Sequence, residues 1–110
     1  MLRAVIFDLD GTLVTLEHDF RHTRELVIGR LRELGIPESL LSAKEPVEVN
    51  KEHALRYLRR RNRAPHHVGR ILAEIEEIVR QQDRDAAARA KPAKGASQAL
   101  AHLKKRKLKL

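Results

Sequence analysis

An apolar run, Ala4-Val5-Ile6-Phe7, ends abruptly at Asp8, and the residues on either side of that break limit what the chain can become. Residues 2–7 are rich in β-formers and predict a short, buried strand. Asp8-Leu9-Asp10-Gly11-Thr12 then breaks the pattern with a turn-forming Asp-Gly pair. The run is too short for a signal peptide or a membrane span. A soluble, cytoplasmic protein without a membrane partner is therefore expected.

After this turn the periodicity becomes helical. Asp19 is placed to cap a helix carrying Phe20, Thr23, Val27, Leu31 and Leu34 on one face, with Gly35 and Pro37 as its stop. Ser42 to Pro46 predicts a loop, and Asn50 a cap for a second helix with Ala54, Leu55 and Leu58 inward. That helix must end before Pro65. The longest periodic stretch carries Val68, Ile71, Leu72, Ile75, Ile78 and Val79, a stripe suited to packing against Phe20–Leu34. Lys91-Pro-Ala-Lys-Gly95 is a break. Ala96, Ala99, Leu100 and Leu103 follow as a short amphipathic helix, and Lys107–Leu110 alternates like an incoming strand.

The order is strand, acidic turn, long helices, break, helix, incipient strand. It predicts an α/β chain that is mostly helical by residue count, with a helical insertion between two pieces of a βαβ sheet domain. The expected boundaries are 1–15 for the first strand and its loop, 16–90 for the helical insertion and 91–110 for the return.

Composition removes several classes of function. The chain of 110 residues has no cysteine, which excludes disulfides, thiolate metal sites and a cysteine nucleophile. Aromatic residues are 3% of the total, against a stacking surface for single-stranded nucleic acid. The net charge of +8 is local: eight of the 23 Lys and Arg residues, and no acid, fall in residues 89–110. Lys104-Lys-Arg-Lys107 reads as a helix end favoured by the dipole rather than as a nucleic-acid patch. Arg56, Arg59, Arg60, Arg61 and Arg63 read as a solvated helix end, with recognition of a substrate phosphate as the alternative. His18 with His22, and His66 with His67, read as solvated or capping side chains, active-site duty for His18 remaining open.

The acidic turn carries the chemistry. Alternation along a strand puts Asp8 and Asp10 on one side and Leu9 on the other, beyond the carboxyl end of the strand, where open α/β sheets bind ligands. Two carboxylates so spaced repel unless a cation or proton intervenes, so their protonation states can be driven apart. One then suits a nucleophile and the other a proton carrier. A calcium loop would need oxygens where Thr12 and Val14 fall, and a later Glu.

At Phe7-Asp-Leu-Asp-Gly-Thr-Leu13 the sequence resembles the haloacid dehalogenase superfamily, whose first signature is Asp-x-Asp-Gly-Thr-Leu/Val after a hydrophobic strand. The order of a helical cap, a Pro…Gly-led helix and a strand is similar too. The resemblance implies a Rossmann-like core with an inserted cap and Mg2+-dependent phosphomonoester hydrolysis. It makes Asp8 the nucleophile and Asp10 the acid and base. Gly11 and Thr12 would hold the phosphoryl group, and the Asp8 carboxylate and Asp10 main-chain carbonyl the metal. The partner implied is a small phosphorylated metabolite chosen by the cap; phosphomutase chemistry uses the same aspartates. Asp10 favours phosphate over carbon–halogen chemistry, because dehalogenating members generally lack it. Three further signatures of the family, a Ser or Thr after the second strand, a Lys and a downstream acidic pair, have no place in residues 1–110. The resemblance thus implies a truncated core, inactive by itself. A reading from another class is a non-catalytic basic helical binding module, self-associating through the exposed edge of Leu2–Phe7.

Overall fold

The computed structural model describes residues 1–110 as two compact units, one of residues 18–84 and one of residues 1–17 with 85–110. The helical unit begins with α1 (Phe20–Glu33), followed by a 3-10 turn (Glu38–Leu40), α2 (Val47–Arg60) and α3 (Pro65–Ala88), whose last residues belong to the other unit. Asp19 caps α1 as expected, its carboxylate accepting from the His22 backbone N–H at 3.0 Å. Pro65 occupies the first position of α3, where its missing N–H costs nothing.

The core of this unit is Val27, Leu31, Ile36, Ala54, Leu58, Ile71 and Ile75, with Val68, Ile78 and Val79 packed against it. The expected α1–α3 stripe is thus real. Phe20 does not join it: it is 62% exposed, and its ring stacks on His18 with centroids 4.1 Å apart.

Three helices end in the same way. Beyond α1, Gly35 takes φ +94°, its N–H meets the Arg32 carbonyl at 2.9 Å, and the Ile36 N–H meets the Leu31 carbonyl at 3.0 Å. This is a Schellman cap, and buried Ile36 and Leu31 supply its apolar contact. Asn62 beyond α2 takes the same left-handed position with φ 51°. Lys107 does so beyond α4 (Ala96–Lys105), with φ 60°.

Asn50 does not cap α2. The helix begins three residues earlier, after Pro46, and Asn50 is 1% exposed one turn inside. Its Oδ1 accepts from the Ser42 N–H at 2.9 Å, while Nδ2 donates to the carbonyls of Ser42, Glu45 and Pro46 at 2.9, 3.2 and 3.1 Å. The expected cap is absent because the Asn50 amide serves backbone groups of the preceding Ser42–Pro46 loop rather than those of the helix's own first turn.

The other unit holds β1 (Val14–Thr15) and β2 (Lys91–Pro92), antiparallel with Val14 opposite Pro92 and Thr15 opposite Lys91, then α4. Residues 2–7 do not form the expected buried strand. They make one parallel bridge, Ala4 to Lys109, through Val5 N–H to the Lys109 carbonyl at 2.8 Å and Lys109 N–H to the Arg3 carbonyl at 3.0 Å. A strand needs neighbours on its edges and a cover on its face. Here the single neighbour is the Lys107–Leu110 segment, and Leu2 and Ile6 stay exposed at 65% and 97%. No helix is long and apolar enough to cross a membrane.

Candidate functional site

The Asp8–Leu13 segment forms a turn closed on its own backbone. The Leu9 carbonyl accepts from the N–H groups of Thr12, Leu13 and Val14 at 3.3, 3.0 and 3.1 Å, and the Gly11 N–H donates to the Val14 carbonyl at 2.9 Å. Such a turn demands a left-handed residue, and Gly11 supplies it at φ +75°. An added Cβ there would meet nothing within 4 Å, so conformation rather than space selects glycine.

Asp8 and Asp10 flank the start of this turn, and both are exposed. Neither carboxylate is engaged by a hydrogen bond or an ion pair, in a chain where most other acids are matched with an arginine, lysine or histidine neighbour. Thr12 is exposed beside them. The four residues singled out in the sequence therefore share one short turn, with the Asp8, Asp10 and Thr12 side chains exposed.

The donor set fits a hard divalent cation. Carboxylate and carbonyl oxygens suit Mg2+, which is commonly held by one or two carboxylates while water and phosphate oxygens fill its remaining positions. Nowhere does the chain gather three or more His, Asp or Glu side chains into one metal-holding group.

A well-formed cavity lies elsewhere, in the helical unit between α1 and α3. It measures about 680 Å3 and has Leu26, Gly29 and Ile78 among its lining. Its rim acids are already matched: Glu33 and Glu74 with Arg30, Glu77 with Arg80, Glu25 with Arg21. The bond from Arg30 holds Glu74 below the usual carboxylate range, against a smaller desolvation effect. No residue of the Asp8–Thr12 turn lines this cavity.

One polar feature was missed in the sequence. His18 is not solvated: its side chain is 6% exposed, with Nε2 2.8 Å from Asp83 Oδ1, and its Nδ1 is buried without a partner. A histidine one residue before a helix cap gives no local sign of burial; only the fold brings Asp83, 65 residues away, to meet it. His22, by contrast, is exposed as expected.

A family model described as haloacid dehalogenase-like hydrolase matches residues 2–110. Neither the curated proteins nor the solved structures give a match.

Proposed function

This chain belongs to the haloacid dehalogenase-like hydrolases, and from that membership we propose that its Asp8–Thr12 turn is the phosphotransfer site of a phosphomonoester hydrolase. The observation that carries the proposal is the pair of exposed, unengaged carboxylates on one self-closed turn. On this reading an Asp8 carboxylate oxygen attacks phosphorus and the ester P–O bond breaks. Asp10, entering as the acid, gives its proton to the departing oxygen. Asp10, now a carboxylate, then takes a proton from water. The water oxygen attacks phosphorus, releasing phosphate and regenerating Asp8. Thr12 offers its hydroxyl to a phosphoryl oxygen, while Gly11, whose N–H closes the turn on the Val14 carbonyl, shapes the backbone that holds the group.

The family generally uses Mg2+; the Asp8 carboxylate and the Asp10 main-chain carbonyl would hold it. When bound, it supplies positive charge between the carboxylate and the phosphate dianion, two anions that otherwise repel. The helical unit is proposed as the cap that selects a small phosphorylated metabolite, and residues 1–15 and 91–110 as core. The same aspartates serve a phosphomutase equally well.

The test uses binding first, because two carboxylates without further protein ligands are expected to give turnover at or near background. Titration with Mg2+, then with inorganic phosphate, should shift the backbone amide signals of residues 8–13, and Asp8→Asn should remove the Mg2+ response. Any Mg2+-dependent release of p-nitrophenol from p-nitrophenyl phosphate should vanish in the same variant. Activity that survives Asp8→Asn overturns the mechanism.

A second reading has its own observation. Leu2, Ile6 and Leu110 are exposed apolar side chains along the Ala4–Lys109 bridge. They suit self-association of two copies through this edge. Sedimentation of a monomer at all accessible concentrations would dismiss it.

A further inference from the structure

We propose that the helical unit carries an oxyanion-binding pocket, separate from the aspartate turn, between the 3-10 turn and the last two turns of α2. The pocket encloses about 260 Å3 and is lined by Ser39, Leu40, His53, Arg56, Tyr57 and Arg60. Five of these six side chains carry a hydrogen-bonding group.

Two of the groups are fixed in advance. His53 Nδ1 lies 2.9 Å from the Leu40 carbonyl. A carbonyl only accepts, so Nδ1 carries the proton and Nε2 presents a lone pair, able to accept from a ligand's O–H. The Tyr57 ring lies beneath the Arg61 guanidinium, 5.1 Å from its centroid, which holds the ring at the pocket wall. Neither the Tyr57 hydroxyl nor the Ser39 hydroxyl is engaged by another protein group.

The charge favours an anion. Arg60 makes no ion pair, while Arg56 is matched only by Glu52, at 2.8 Å and well exposed. An exposed pair of that kind contributes little, so Arg56 can turn to a better acceptor. Against this stands the negative end of α2, equivalent to about half a charge. Its last carbonyls are already taken by the N–H groups of Arg61, Asn62 and Arg63. Two guanidiniums outweigh that residue of dipole.

Size limits the ligand. Pockets for drug-sized molecules run to about 300–1,000 Å3, and this one is smaller. It suits a compact oxyanion such as hydrogen phosphate, whose bare oxygens meet a guanidinium fork and hydroxyl donors while its P–OH can meet His53 Nε2. Arg59 and Arg63, outside the pocket, are solvated helix-end charges as the sequence suggests.

The test is a titration of the full chain with inorganic phosphate at constant ionic strength, followed by the NMR signals of His53, Tyr57 and the arginine side chains. With Mg2+ absent, saturable shifts at these residues are expected, whatever phosphate does at residues 8–13 when Mg2+ is added. Arg60→Ala should weaken the apparent affinity by about tenfold, and Tyr57→Phe, which keeps the ring packing, by less. Asp8→Asn should leave the response unchanged, so failure of this pocket and failure of the aspartate turn are told apart. Shifts that grow linearly, or that involve Arg59 and Arg63 equally, would mean mere screening of a basic helix end and would overturn the proposal. So would saturation at Gly11 and Thr12 alone.

Discussion

His18 Nε2 lies 2.8 Å from Asp83 Oδ1, tying the first residue of the helical unit to its next-to-last. The ring is buried while the carboxylate is 62% exposed, so water reaches one partner only. With the proton on Nε2 the single N–H has its acceptor, and the unpartnered Nδ1 holds a lone pair rather than an orphan donor.

That tautomer predicts an ordered series. Asp83→Asn keeps an accepting oxygen and should change stability by less than about 1 kcal/mol. Asp83→Leu orphans the buried N–H and should cost about 1–3 kcal/mol. Urea unfolding measures both, and equal losses would contradict the assignment.

Arg30 and Glu74 join α1 to α3 at 2.6 Å. The hydrogen bond lowers the Glu74 pKa from its ordinary 4.5, so the pair's contribution is complete above that value and is lost as the pH falls through the lower, folded-state value. Arg30→Met should flatten the fall in stability on acidification and leave the slope near neutrality unaltered. Urea midpoints between about pH 3 and 6 will show it.

Asn50 uses both ends of its amide on the Ser42–Pro46 loop. Asn50→Ala should destabilise by about 2–4 kcal/mol, since buried backbone groups lose partners and a void opens. Asn50→Asp should be worse, because a second oxygen would face three carbonyls in a site 1% exposed. Thermal melts rank the two, and an Asp variant as stable as the Ala variant would refute the donor role of Nδ2.

The features that could be foreseen are those written in neighbouring residues. Asp19, the Val27–Leu31 stripe and Gly35 specify α1 locally, and the spacing from Val68 to Val79 specifies α3. The Asp8–Leu13 turn is equally local, which is why its candidate residues fall together. Leu2–Phe7 fails as a strand because pairing depends on what lies beside it, and hydropathy carries no record of neighbours. Lys91–Pro92 gives no strand signal at all; its pairing comes from the arrival of Val14 alongside. Asn50 shows the same limit from the other side, since its position announces a backbone partner without saying which backbone.

The antiparallel contact of Val14–Thr15 with Lys91–Pro92 brings the chain's departure toward the helices next to its return. Seventy-odd intervening residues thus form a closed parenthesis in the polypeptide. Its two ends are within ladder distance, so a tight hairpin could replace everything between them without stretching the backbone. Evolution can accordingly lengthen, shorten or exchange the helices while leaving the grammar of the aspartate turn intact.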